Sequence, residues 1–196
     1  MIIHPTLLAA AAMAATLLGA PAALACTTVR TVTFQVDPRA SIVVFAVNSS
    51  DTQPVAGAAS VLIDADLLAD LQASVAAGCE RTMTHTAWGE LWVMGDAAAR
   101  YAVTTELRGV RPSTGKSALI KKWSDAKSVP GSYSHQHIMK FKDQWVRQAR
   151  VGDLLSLTAY GEVAAASLSP STFNQAYSYY TWGLADVVPV LTIGLP

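Results

Sequence analysis

Apolar and polar positions alternate from residue 30 to residue 36, with Val32, Phe34 and Val36 on one face and Thr31, Thr33 and Gln35 on the other. This is the pattern of a strand that buries one side. Residues 41–47 (Ser-Ile-Val-Val-Phe-Ala-Val) form a nearly unbroken apolar run rich in β-branched side chains, as expected of a strand covered on both faces. Asp37-Pro38-Arg39 between them predicts a turn, and residues 48–57, with a Ser-Ser-Asp stretch and Pro54, predict a loop. The period then changes from two to about four. Across residues 64–77, Leu67, Leu71 and Val75 form a stripe beside Leu68, Asp64 or Asp66 stands near the start and Gly78 at the stop, which together predict an α-helix.

Beyond the helix the period returns to two. Residues 82–94 and 100–110 read as strands paired in a hairpin across a Gly95-Asp96 turn. Residues 118–123, 136–149, 154–164, 177–182 and 187–193 read as further strands, the last placed at a sheet edge because Pro189 lacks a ladder donor. About eight or nine strands around one inserted helix predict a mainly β fold, an antiparallel β-sandwich or jelly-roll-like barrel.

The amino-terminal 25 residues are of a different kind. They contain no Asp, Glu, Lys or Arg, carry an apolar run over residues 7–18, and end in Ala23-Leu24-Ala25. That pattern predicts a secretory signal peptide over residues 1–25, although its first residues lack the usual Lys or Arg, and leaves residues 26–196 as a single β-rich domain. The apolar run falls short of the ~20 residues that cross a membrane, and no later segment reaches that length. A secreted or periplasmic location follows as an expectation. Cys26 and Cys79, the two cysteines of the chain, are expected to form a disulfide in that oxidising setting. The alternative is a lipid on Cys26 that anchors the protein to a membrane and leaves Cys79 free.

Charge alters this picture by its distribution. The whole chain has 14 basic and 14 acidic residues, but residues 107–150 hold ten of the basic ones against only Asp125 and Asp143. Aromatic residues interleave with them: Lys121, Lys122, Trp123, Tyr133, Lys140, Phe141, Lys142 and Trp145, followed by Arg147 and Arg150. Gathered on one face, such residues would engage an anionic surface or polymer, either lipid head groups or an acidic glycan. Dispersed, they would pair with the acidic remainder, and Phe141 and Trp145 would be core anchors of an ordinary strand. Nucleic acid is not an expected partner of an exported chain.

A second constellation suits a metal ion. His135, His137 and Met139 alternate, as do Met83 and His85, so on strands each set projects to one side. Imidazole with thioether favours copper, although no Cys-His-Met spacing of a blue-copper loop is present. Tyr177, Tyr179, Tyr180 and Trp182 form a further aromatic cluster that suits recognition and sheet packing equally. Nothing in the motifs points to an enzyme. Ser113-Thr114-Gly115-Lys116-Ser117 resembles the end of a phosphate-binding loop, but its first glycine is one residue too far away and strands flank it on both sides. The readings therefore rank as a non-enzymatic binding protein engaging an anionic partner, a metal-handling protein, and an extracellular hydrolase whose site assembles only in space.

Overall fold

The computed structural model describes residues 26–171, 173–183 and 188–196, and the expected signal segment lies outside them. In chain order the elements are β1 (Thr28–Thr33), β2 (Gln35–Val36), β3 (Ala40–Val47), β4 (Ser50–Leu62), α1 (Ala65–Ala76), β5 (Arg81–Met94), β6 (Ala97–Arg111), β7 (Lys116–Lys127), β8 (Gly131–Lys140), α2 (Asp143–Gln148), β9 (Leu154–Ser167), β10 (Gln175–Trp182) and β11 (Val190–Leu195). Two antiparallel sheets result. The first has the order β1-β11-β5-β10-β3, with β8 also on β5, and the second the order β2-β4-β9-β6-β7. The molecule is an antiparallel β-sandwich, as its alternating segments predict, with two helices among the described residues where one was expected.

The chain changes sheet repeatedly, and this sets the site. Phe34, buried between the sheets, separates β1 of the first from β2 of the second. The turn at Gly95 (φ 67°) is equally a crossing: β5 and β6 are consecutive, but β5 pairs with β8, β10 and β11 while β6 pairs with β7 and β9. The hairpin expected from the Gly-Asp turn is therefore absent. Instead β5 and β6 face each other across the core, where the Tyr101 ring lies on Gly89 so closely that a β-carbon there would sit 2.4 Å from it. Trp182 of β10 lies in the same way over Gly57 of β4. A turn signal marks a reversal of direction; it does not say whether the returning strand joins the same sheet.

Three more expectations are corrected. Residues 50–57, expected as a loop, belong to β4, and Pro54 is tolerated because only β9 pairs with it there, leaving its missing donor on the unpaired side. The segment expected as one strand over 136–149 divides into β8 and α2, so Phe141, just before the Lys142 N-cap, folds back on Trp145 in the first turn of the helix, with ring centres 5.1 Å apart. β11 is an interior strand, paired with both β1 and β5, and Pro189 precedes it, its carbonyl accepting from the Phe34 amide (3.0 Å).

Helix α1 forms as its stripe predicts. The Asp64 side chain caps it by accepting from the Leu67 amide (2.7 Å), and Leu67 and Leu71 are buried. Cys26 and Cys79 are joined, closing a span of 53 residues, so the Cys26 sulfur is occupied and the lipid-anchored alternative does not hold for this state. Among the described residues no helix is long and apolar enough to cross a membrane.

Candidate functional site

β7 and β8 are terminal strands of opposite sheets, joined through residues 128–130. Along β7 a bulge opposite Leu107 and Arg108 shifts the register, so Ile120 packs against the core and Lys121 turns outward. Below the bulge α2 borders a groove of about 510 Å³ lined by Lys121, Met139, Lys140, Lys142 and Trp145, among others. Adjoining it is a depression of about 720 Å³ lined by Arg111, Lys116, Arg147, Arg150 and Asp153, among others, and Ala118, Trp145 and Gln148 line both.

Of the ten basic and aromatic residues named for anion binding, the structure brings seven together here, Lys121, Lys140, Phe141, Lys142, Trp145, Arg147 and Arg150, while Tyr133 stands against Tyr101 and His135. Lys122 and Trp123 are elsewhere. Lys122 faces Glu106 (3.8 Å) on the outer face of the second sheet, where Arg108 and Tyr160 also bind that carboxylate. Trp123 faces inward, against His85 and His137. Within the groove, Lys140 pairs with Glu80, and Arg111 makes a forked pair with Asp153 (2.9 and 2.8 Å). Lys116, Lys121, Lys142, Arg147 and Arg150 make no ion pair among the described residues.

The five residues named as metal ligands also meet, on one inner face. In the β5–β8 ladder Met83 stands opposite Met139, His85 opposite His137, and Ala87 opposite His135. Asp125 of β7 reaches this layer from the other sheet, 3% exposed, with Oδ1 2.8 Å from His137 Nε2 and 3.4 Å from His135 Nδ1, while Oδ2 accepts from the Tyr180 hydroxyl (3.0 Å). His135 Nε2 lies 2.7 Å from the Tyr101 hydroxyl. Burial alone would raise the Asp125 pKa, but the hydrogen bond from His137, the positive field of His135 and His137 and the Tyr180 bond outweigh it and hold the carboxyl below its ordinary range. An ionised carboxylate only accepts, so Nε2 of His137 carries the proton that joins them. Burial lowers the His135 pKa and raises those of Tyr101 and Tyr180.

His85 differs from its neighbours. It is 1% exposed, and neither ring nitrogen has a hydrogen-bond partner among the described residues. Burial first, and then the adjacent His137, push its pKa down to about 3, so the imidazole is neutral. Among the described residues no three His, Cys, Asp or Glu side chains are arranged to hold a metal ion. The Tyr101–His135–Asp125 chain has the order hydroxyl, imidazole, carboxylate that an acyl-transfer enzyme uses, but its hydroxyl is 1% exposed and packed on Gly89, beyond the reach of a substrate.

A third feature was not foreseen. The outer face of the first sheet shows Val43, Phe45 and Val47 on β3, Tyr177 and Tyr179 on β10, and Trp88, Trp92 and Met94 on β5. The register sets Phe45, Tyr177 and Trp92 side by side in one rung, with Phe45 55% and Trp92 43% exposed. Glu90 is the one charged side chain of these three strands on that face. The aromatic cluster of β10 thus divides, Tyr177 and Tyr179 outward, Tyr180 and Trp182 into the core. The outer face of the second sheet is the opposite in character, with Arg100 paired to Glu162 and Glu106 shared by Arg108 and Lys122. The chain matches no known protein-family model, and no curated protein is significantly similar to it in sequence.

Proposed function

We propose that the protein is a non-enzymatic binding protein that takes an acidic polysaccharide into the groove between β7, β8 and α2. The observation that carries this reading is the set of five basic side chains without ion pairs among the described residues, Lys116, Lys121, Lys142, Arg147 and Arg150, lining two adjoining depressions that share Trp145 as a lining residue. Cations freed from internal partners attract an anion at little cost in broken contacts, and a concave lining suits a chain of sugars better than a flat bilayer. A disulfide between the two cysteines is compatible with an extracellular or periplasmic place, where such polymers occur.

Binding of a sulfated or uronic-acid polysaccharide is expected to weaken steeply with salt, because each phosphate-like or carboxylate contact is screened over about 8 Å at 0.15 M ionic strength. Arg147→Ala with Arg150→Ala is expected to weaken it at least tenfold, while Lys122→Ala, on the opposite face and already paired, leaves it unchanged. Isothermal titration at several salt concentrations reads both. Salt-independent binding, or equal losses in the two variants, overturns the reading, and binding to anionic vesicles without binding to the polysaccharide replaces the glycan by a lipid surface.

A second reading is favoured by the Phe45–Tyr177–Trp92 rung alone: a flat aromatic row that stacks the apolar faces of uncharged sugar rings. Trp92→Ala is then expected to abolish retention on an insoluble neutral polysaccharide without any dependence on salt. Retention unaffected by the substitution rules that reading out.

A further inference from the structure

We propose that the inner face of the β5–β8 ladder is a Cu(I) site, with His85, His137, Met83 and Met139 as its ligands. This inference is independent of the glycan groove. It starts from register: Met83 opposite Met139 and His85 opposite His137 occupy adjacent inward rungs, so two imidazole and two methionine side chains project to the same inner face from two strands. Long, unbranched methionine side chains adapt to a point between the rungs.

His85 supplies the second observation. Interior polar atoms almost always have partners, and His85 is buried with neither nitrogen bonded among the described residues, so both stay open to a ligand. His137 supplies the third. Its Nε2–H donates to Asp125 at 2.8 Å, which leaves Nδ1 as the lone-pair nitrogen and sets the carboxylate–imidazole pairing that orients metal-binding histidines. The ring centres of His85 and His137 are 4.7 Å apart. Two imidazoles on one tetrahedral ion, with metal–nitrogen bonds near 2.0 Å, have centres roughly 5 Å apart, so small ring rotations suffice.

The donor set names the ion. Asp125 is occupied by His137 and Tyr180, and His135 by Tyr101, so the groups left are imidazole and thioether, a soft set that favours Cu(I) over Zn(II) or Mg(II). One positive charge placed there is balanced by the Asp125 carboxylate behind His137. Trp123 closes the layer, its ring 5.0 Å from His85 and 5.5 Å from His137. Met139 also lines the groove beside Lys121, and so joins the site to solvent.

The test is an anaerobic titration of the metal-free protein with Cu(I) against a chromogenic Cu(I) chelator, with Zn(II) as the comparison ion and X-ray absorption on the loaded protein. One equivalent of Cu(I) is expected, with both sulfur and nitrogen in the first shell. Met83→Leu with Met139→Leu, close in volume, should lower the affinity at least a hundredfold while circular dichroism stays that of the parent. Met139→Leu alone, at the groove wall, gives the same direction should the double variant fold poorly. The proposal is overturned by uptake of less than half an equivalent, by a shell without sulfur, by unchanged affinity in Met139→Leu, or by Zn(II) binding more tightly than Cu(I).

Discussion

Asp125→Ala is expected to lower the melting temperature by roughly 10 °C, the largest effect of any single polar substitution within the histidine layer. The carboxylate is the common acceptor for His137 Nε2 and the Tyr180 hydroxyl, with His135 Nδ1 beside it, and each of these groups is largely out of water. Removing an acceptor leaves buried donors unpaired at about 1–3 kcal/mol each, so two orphaned donors cost about 4 kcal/mol. For a domain of this size 1 kcal/mol moves the midpoint by roughly 2–4 °C. Tyr180→Phe deletes one donor rather than the shared acceptor and is expected to cost about 1 kcal/mol. Urea denaturation of both variants beside the parent measures this. Equal effects would mean that the acceptor is not shared, and a loss under 1 kcal/mol in Asp125→Ala would mean that water reaches these donors.

How much of this was legible in the chain depends on the scale of the signal. Helix α1 was readable because its evidence is local: Asp64, the Leu67–Leu71–Val75 stripe and Gly78 lie within one 15-residue window. Helix α2 was not, since six residues give fewer than two turns of periodicity, although the four-residue spacing of Phe141 and Trp145 was visible. β4 escaped because Ser50, Asp51, Thr52 and Pro54 have loop chemistry, and only pairing with β9 makes that stretch a strand.

The sites divide along the same line. Alternation showed that His135, His137 and Met139 share a side, and likewise Met83 and His85. That the two sets face each other rung by rung is a matter of register between strands about 50 residues apart, which no local pattern encodes. Asp125 stood out in sequence only as a lone acid among lysines, and its real company, Tyr180 and the histidines, comes from the other sheet. The basic residues show the reverse. Clustering in sequence overstated clustering in space for Lys122 and Trp123, because the bulge near Ile120 and the strand's own alternation send neighbours to different faces.

Cys26→Ser combined with Cys79→Ser is expected to destabilise the protein by about 4 kcal/mol, the value that loop-closure entropy assigns to a span of this length. The bridge ties Cys26, two residues before β1, to the segment between α1 and β5, where the Glu80 carbonyl accepts from Gly194 of β11 (2.8 Å). β1 needs that tie more than other strands do. Among the described residues it pairs with β11 alone, Val32 is its one side chain packed on the core, and the ion pair of Arg30 with Asp70 of α1 is partly exposed and weak. Arg81, 6% exposed, holds the neighbouring corner by donating to the Cys79 carbonyl (2.6 Å) and to Ser74 of α1, and by its pair with Asp143 of α2, so α1 and α2 stay joined without the bridge. Reduction should therefore act in two ways that hydrogen exchange separates: a global loss of protection of about three orders of magnitude, and at β1 amides a further loss from local fraying. Protection lost at β1 alone, with the midpoint unchanged, would show that the bridge only fastens an end and does not restrain the unfolded chain.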